Sequence, residues 1–140
     1  MTMIYTAMLA ATLLGLAACQ TPAGPSTAQE TGAVTLSGIA NGSATLQSGQ
    51  SLSVALPSNG STGYSWQLAA YDGAVLRPDV PFGEQVTAPH AAGMVGVGGE
   101  THWSFEAAAP GTATLLFTYS QPWDKTAPPA ETARYTITVR

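Results

Sequence analysis

The sequence has little positive charge, few imidazoles and a single cysteine. Four Lys and Arg side chains stand against eight Asp and Glu, which gives the 140-residue chain a formal net charge of −4 at pH 7. No basic surface is available to neutralise phosphates, so we expect no nucleic-acid partner. One cysteine cannot close an intrachain disulfide, and with two histidines it does not give the spacing of a metal framework. We therefore expect one domain stabilised by a packed core, with no metal and no cofactor.

The single cysteine follows a short apolar segment near the N-terminus. Residues 1–18 contain no charged side chain, and an apolar run over 8–16 leads into Leu-Ala-Ala-Cys at 16–19. The run is typical of a secretory signal, because a membrane-spanning helix needs about 20 apolar residues. Leu-Ala-Ala-Cys resembles the bacterial lipobox, which implies cleavage before Cys19 and lipidation of its thiol. A simple signal peptide with an incidental cysteine is the alternative.

The residues after Cys19 have the composition of a linker. Residues 20–31 are rich in Pro, Gly, Ser, Thr and Ala and have no periodic apolar pattern, so they cannot bury enough surface to order themselves. We predict a lipoprotein signal peptide over 1–18, a tether over 19–32 and a folded domain over 33–140. In the lipoprotein sorting pattern, a residue other than Asp directly after the lipidated cysteine favours the outer membrane. Gln20 at that position therefore implies an outer-membrane anchor facing the periplasm or the cell surface.

Apolar side chains in the folded part recur at every second position, which predicts strands. Turn-forming pairs separate several of these segments, at Asn41-Gly42, Asp72-Gly73 and Pro110-Gly111. About seven to eight short strands with regularly spaced turns favour an all-β fold, an immunoglobulin-like antiparallel β-sandwich. The alternating side chains are Val34, Leu36 and Ile39; Leu52, Val54 and Leu56; Tyr64, Trp66 and Leu68; Thr101, Trp103 and Phe105; Leu115, Phe117 and Tyr119; and Tyr135, Ile137 and Val139.

Three long connections are expected after a first hairpin, at 57–63, 81–99 and 120–130. If the strands alternate in direction, these connections emerge at one end of the sandwich and the tight turns at the other. Long loops grouped on a rigid sheet are where such folds usually place recognition. The alternative is that long loops collect at that end without a common role.

Each of the three loops carries a short motif. The motifs are Asn59-Gly60-Ser61-Thr62-Gly63-Tyr64, Gly96-Val97-Gly98-Gly99 and Gln121-Pro122-Trp123. In this order they resemble the chagasin-type inhibitors of papain-family cysteine peptidases. That family carries Asn-Pro-Thr-Thr-Gly-(Tyr or Phe), Gly-x-Gly-Gly and Arg-Pro-(Trp or Phe) on alternating loops of an immunoglobulin-like fold. The resemblance extends from about residue 34 to residue 140.

The resemblance implies a tight, reversible, non-covalent inhibitor that occludes a peptidase cleft with loops 57–63, 88–99 and 120–128. By the same resemblance, Thr62 lies over the catalytic cysteine of the target and the other two loops brace the cleft walls. The partner would be a papain-family peptidase of the same cell, a host or a competitor. The protein would act as a monomer and would meet the membrane through its lipid alone.

The residues themselves are compatible with this interpretation. Ser61 and Thr62 are small and uncharged, the second motif leaves its backbone open to pair with an extended surface, and Trp123 is a rigid aromatic anchor. Two positions depart from the family. Gly60 replaces proline, which predicts a more flexible free loop and an entropic cost on binding. Gln121 replaces arginine, which removes a cation that could pair with an acidic rim.

The same residues allow other interpretations. Trp66 and Trp103 fall at inward positions of strands and are expected in the core, and the glycines alone would indicate only loops. His90 and His102 occur without a nucleophile elbow or zinc spacing, so we expect no catalysis and no catalytic residue. A cell-envelope adhesion sandwich that binds a glycan or a protein, with Trp123 as a stacking platform, is the alternative function.

Overall fold

The computed structural model describes residues 32–38 and 41–140. Cys19, Ile39, the signal peptide and nearly all of the tether lie outside the described residues. Within the described ranges, no helix is long and apolar enough to cross a membrane. The elements in chain order are β1 (Val34–Ser37), β2 (Gly42–Leu46), β3 (Ser51–Ser58), a 3-10 turn η1 (Gly60–Thr62), β4 (Ser65–Ala70), β5 (Leu76–Thr87), β6 (Gly99–Ala107), β7 (Gly111–Ser120) and β8 (Glu131–Val139).

The strands form two four-stranded sheets, in the orders β1-β3-β6-β5 and β2-β8-β7-β4. This confirms the predicted β-sandwich. The pairing is antiparallel, as expected, except at the two N-terminal strands, where β1 runs parallel to β3 and β2 parallel to β8. The expected first hairpin is wrong, because β1 and β2 belong to different sheets. Gly42, predicted in a turn, instead begins β2.

The core lies between the two sheets and uses the predicted alternation. Along β6, Thr101, Trp103 and Phe105 are buried while the residues between them are half-buried. Trp66 and Trp103 retain 4% and 6% of their exposure, so both belong to the core as expected. The largest fully buried side chains are Tyr135, Phe105, Phe117, Leu46, Leu52, Leu56, Leu76, Leu115 and Ile137. Burial of each Leu, Ile or Phe side chain contributes about 1.5 to 3 kcal/mol.

The second long loop is shorter than predicted, because residues 81–87 belong to β5. That strand pairs with β6 from Leu76 opposite Ala107 to Thr87 opposite Gly99, with register shifts on either side of Phe82. Its prolines and glycine interrupt the period-two pattern that would have identified it. Proline is tolerated here because β5 is an edge strand, whose outer N–H groups need no ladder partner.

Strand register places the three long loops at one end of the sandwich, as predicted. Ser58, Gly99 and Thr87 stand side by side where β3, β6 and β5 meet that end. In the other sheet, Ser65 is opposite Ser120, and Tyr119 is opposite Glu131. The loops 59–64, 88–98 and 121–130 therefore leave from the same end, and the tight turns lie at the other.

Candidate functional site

The candidate site consists of three loops, named here the Thr62 loop (59–64), the glycine loop (88–98) and the Trp123 loop (121–130). The Thr62 loop stands between the other two. It contacts the glycine loop through Asn59, whose Nδ2 donates to the Gly96 carbonyl at 3.2 Å. It contacts the Trp123 loop through Gly63, against which the indole of Trp123 packs. The structure thus brings together the three motifs that the sequence singled out.

Hydrogen bonds inside the Thr62 loop fix its shape. Asn59 caps η1, its Oδ1 accepting from the Ser61 N–H at 3.1 Å and from the Ser61 hydroxyl at 2.7 Å. The Thr62 hydroxyl donates to the Asn59 carbonyl at 2.7 Å and accepts from the Tyr64 N–H at 3.3 Å. The cap and the hydroxyl satisfy groups that a turn would otherwise leave open. The loop is therefore constrained although Gly60 replaces proline.

Gly63 joins the Thr62 loop to the Trp123 loop. Its φ of 76° and ψ of 0° lie in the left-handed region, which side chains with a Cβ rarely adopt. A Cβ at Gly63 would lie 2.5 Å from Cη2 of Trp123, so the indole occupies the space that the missing side chain leaves. Trp123 is still 69% exposed and can present its other face to a partner.

The glycine loop extends the pairing of β5 and β6 and then opens. The Ala88 N–H donates to the Gly98 carbonyl at 3.0 Å, beyond the last paired residues of the two strands. Val97 is half-buried, while Gly96 and Gly98 are exposed. Gly99, a predicted contact residue, is the first residue of β6, where a Cβ would overlap the Val86 carbonyl oxygen. The sheet itself therefore requires glycine at that position.

The third loop carries Gln121 half-buried and Pro122 exposed beside Trp123. Asp124 closes a turn within this loop, its Oδ1 accepting from the Thr126 hydroxyl at 2.8 Å and from the Thr126 and Ala127 N–H groups at 3.1 Å each. The Thr126 hydroxyl and then the two N–H groups stabilise the carboxylate and lower the pKa of Asp124 below its usual range. The turn is therefore ordered around an ionised carboxylate.

An aromatic support beneath the Thr62 loop was not identified from the sequence. The Asn59 N–H donates to the Tyr119 hydroxyl at 3.2 Å. The Tyr119 ring packs between Tyr64 and Trp66, with centroid distances of 5.5 and 5.0 Å. Trp66 in turn donates from Nε1 to the Pro57 carbonyl at 2.8 Å. The period of β7 pointed Tyr119 inward, but its hydroxyl's partner depends on tertiary structure.

Two apolar residues at the tip of the glycine loop were also missed. Met94 is 58% exposed and Val95 is 94% exposed. They precede the Gly-x-Gly-Gly motif, and the Met94 N–H donates to the Ala91 carbonyl at 3.3 Å in a turn. Their exposure beside the Gly-x-Gly-Gly motif leaves both side chains available to a partner. The sequence signal was an apolar pair inside a glycine-rich segment.

The two histidines lie in ordinary contexts. His102 is on the outer face of β6, with Nε2 3.5 Å from Glu100 Oε2, and His90 Nδ1 lies 2.9 Å from the Ala88 carbonyl oxygen. In the part of the chain that the structure describes, no group of three or more His, Cys, Asp and Glu side chains could hold a metal ion. The three loops instead offer backbone groups, hydroxyl groups and an aromatic surface to a partner.

Comparison with known proteins places the chain in a family. The model described as Chagasin family peptidase inhibitor I42 matches residues 45–139. Amoebiasin-1 of Entamoeba histolytica is 31% identical over 99 residues, which cover 71% of this chain and 89% of that protein. The crystal structure of the cysteine protease inhibitor EhICP2 from Entamoeba histolytica matches with a TM-score of 0.62 at 22% identity, over 76% of this chain and 97% of that one.

A further structural match concerns a complex. The structure of PbICP-C in complex with falcipain-2 matches with a TM-score of 0.54 at 17% identity, covering 77% of this chain and 98% of that one. These two structural matches show a shared fold, and the family model covers most of the β-sandwich together with all three loops. The chain belongs to the chagasin family of peptidase inhibitors, which are inhibitors and not enzymes.

Proposed function

We propose that this protein inhibits papain-like cysteine peptidases reversibly and without a covalent bond, by inserting the three loops into the active-site cleft. The observation that carries the proposal is the central position of the Thr62 loop. It is tied on one side to Gly96 and on the other side to Trp123. Three connected loops at one end of a rigid sandwich form a wedge with a fixed middle and two flanks.

The backbone of the wedge explains why it would block a peptidase without being cleaved. The Thr62 N–H donates to the Asn59 carbonyl at 3.2 Å and the Gly63 N–H to the Gly60 carbonyl at 3.3 Å, so the tip is a closed 3-10 turn. Attack on a peptide carbonyl requires the reacting atoms in near-attack geometry. A closed turn held by its own hydrogen bonds keeps its peptide groups away from the extended form of a substrate.

The family supports the class of target. EhICP2 is described as a cysteine protease inhibitor, and PbICP-C is found in complex with falcipain-2. In this chain the Trp123 indole is exposed, and indoles are among the side chains that dominate interface energies. A monomer is sufficient for this mode of inhibition, because one copy carries all three loops.

Titration of the chain from residue 20 to residue 140 into papain, with a fluorogenic peptide as substrate, tests the proposal. We expect stoichiometric loss of activity that returns on dilution. A double alanine variant at Thr62 and Trp123 should lose inhibition. A matched double alanine variant at Thr112 and Tyr71, an exposed threonine and an exposed tyrosine away from the loops, should keep it. Full activity of several papain-like enzymes at micromolar protein would contradict the proposal and favour the adhesion alternative, in which Trp123 binds a glycan.

We propose further that the inhibitor is a bacterial envelope lipoprotein anchored in the outer membrane through Cys19. The Leu-Ala-Ala-Cys sequence at 16–19 and the linker that follows support this. The position of Gly32 is compatible, since its carbonyl accepts from Gln50 Nε2 at 3.4 Å, at the start of β3. The eight residues of β3 separate this point from the loops by about 25 Å. An anchor on this side would direct the loops away from the membrane.

Metabolic labelling tests the anchor. The full chain, expressed in a Gram-negative host, should incorporate a palmitate analogue and fractionate with the outer membrane. The Cys19→Ser variant should do neither. Equal labelling of both chains, or release of the wild-type chain as a soluble protein, would overturn the lipoprotein proposal and leave the inhibitor proposal untouched.

A further inference from the structure

Gln85 of β5 occupies the space beside Gly60. A Cβ built on Gly60 would lie 2.9 Å from Nε2 and 3.0 Å from Oε1 of Gln85. The same Nε2 donates to the Ser58 hydroxyl at 3.3 Å. Ser58 ends β3 and is buried, with 6% of its surface exposed. The Gln85 amide therefore lies against both the last residue of β3 and the first residue of η1.

The backbone at Gly60 does not itself require glycine. Its φ lies outside the left-handed region, and it is the first residue of η1. Proline is favoured at the first position of a helical turn, where its fixed φ fits and its missing N–H is not needed. The preceding Asn59 is extended, with φ of −137° and ψ of 98°, as a residue before proline must be. The three atoms nearest to a Cβ at position 60 all belong to the Gln85 side chain.

We propose that Gln85 is a positioning residue for the Thr62 loop, holding from β5, two strands away from β3 in the same sheet, the turn that a proline at position 60 would hold covalently. The proposal rests on the proposed function and explains how the inhibitor dispenses with that proline. Gln85 is opposite Thr101 of β6, so its backbone is fixed by the sheet. An amide fixed at its base and bonded to Ser58 limits the movement of Gly60. The free loop is then ordered before it meets a peptidase, which lowers the entropy lost on binding.

Hydrogen exchange of the free protein tests the positioning without any peptidase. The reporters are the Thr62 and Gly63 N–H groups, which close the turn. Gln85→Ala should raise their exchange rates about three- to tenfold, as expected for loss of one supporting contact. Glu84→Ala, on the same strand, is the control and should leave both rates unchanged.

The companion change Gly60→Ala should act through the same contact. The new methyl group would displace the Gln85 amide, which is the flexible end of a side chain, and break its bond to Ser58. Exchange should again rise about three- to tenfold. In the Gln85→Ala background, Gly60→Ala should add little, because the contact is already gone. The control is Gly73→Ala at the opposite end, where a Cβ would meet Tyr71 at an ordinary 3.5 Å.

Rescue by proline distinguishes positioning from direct contact with a peptidase. In the Gln85→Ala background, Gly60→Pro should return the exchange rates and the inhibition of papain to the wild-type range, with the dissociation rate carrying most of the change in affinity. A Gln85 that touched the peptidase directly could not be replaced by proline at position 60. Additive effects of Gly60→Ala and Gln85→Ala, or no rescue by Gly60→Pro, would overturn the inference. Because the exchange measurements need no target, a failure to inhibit papain would count against the proposed function alone.

Discussion

The Thr62 loop and the glycine loop stand side by side but are held in different ways. In the short Thr62 loop, the cap of Asn59 and the hydroxyl of Thr62 close the turn from within. The longer glycine loop is paired at its base, where the Ala88 N–H meets the Gly98 carbonyl, and exposes Met94 and Val95 at its tip. From this difference we expect a division between the loops. The Thr62 loop fixes the position of the inhibitor in the cleft, and the glycine loop adapts to the shape of the target.

This division follows from the cost of ordering a loop on binding. A turn that is already closed loses little conformational entropy on binding. It can therefore enter every target in the same conformation. An open apolar tip loses more, but it can bury its side chains against differently shaped walls. Changes in the Thr62 loop should therefore weaken inhibition of all targets alike, whereas changes at the tip of the glycine loop should separate one target from another.

The largest effect is expected at Gly63. Gly63→Ala places a Cβ on a left-handed backbone and against the Trp123 indole. The strain of about 1 to 2 kcal/mol adds to the displacement of an interface aromatic, so we expect inhibition to weaken about 100-fold or more. Inhibition constants against two papain-like peptidases measure the effect, which should be similar for both. Retention of tight inhibition would show that the contact between Gly63 and Trp123 is dispensable.

Asn59 should have the second largest effect, and two variants separate its roles. Asn59→Ala removes both the cap on η1 and the tie to Gly96, and should weaken inhibition about 10- to 100-fold. Asn59→Asp keeps an oxygen for the Ser61 N–H but has no donor for the Gly96 carbonyl. It should show an intermediate loss. If the two variants were equally weak, the tie between the loops would account for the whole effect.

At the tip of the glycine loop, Val95→Ser should change selectivity more than affinity. Burial of a valine side chain is worth about 1.5 to 3 kcal/mol, so inhibition should weaken about 10- to 100-fold for a peptidase whose wall covers the tip, and little for one whose wall does not. A panel of papain-like enzymes measures the spread. Val80→Ser is the matched control, since Val80 is 83% exposed but lies on β5 away from the loops. A uniform loss across the panel would contradict the division between the loops.

The sandwich and its loop end could be predicted because period-two burial is a local signal. The alternation of Thr101, Trp103 and Phe105 in β6 is visible in the sequence and is what the sheet buries. The period-two pattern predicts β5 only in part, because Pro78, Pro81 and Gly83 interrupt that period in an edge strand. The parallel pairing of the two N-terminal strands depends on contacts between distant parts of the chain, which no local pattern records.

The candidate site shows the same limit. Its motifs could be read from the sequence, and the structure brings them together as expected. The residues that hold these motifs in place could not be predicted, because the hydrogen bonds from Asn59 to Tyr119 and to Gly96 join residues far apart in the chain. The sequence alone predicts flexibility at Gly60, because it does not show that Gln85 fills the space beside it.

The smallest effect concerns pH and the Trp123 loop, in which Asp124 closes a turn from within while the Trp123 side chain stays exposed. Hydrogen bonds from Thr126 and Ala127 lower the pKa of Asp124 below the ordinary 3.8. A carboxyl with a lowered pKa in the folded state contributes stability that is present above its unfolded pKa and is lost as the pH falls through the folded value. The turn should therefore keep its shape from neutral pH down to about pH 4 and open only below that.

The indole resonance of Trp123 in a ¹H–¹⁵N spectrum reports this transition. In the wild type it should shift only below about pH 4, and in Asp124→Asn, which keeps an acceptor but cannot ionise, the shift should disappear. Asp124→Ala removes the acceptor and should weaken inhibition at pH 6 by less than about threefold, since Asp124 is only half-buried and supports one turn within its own loop. A shift centred near neutral pH would assign the transition to a different group. A loss as large as that of Asn59→Ala would place the Trp123 loop with the Thr62 loop among the elements whose shape must be fixed before binding.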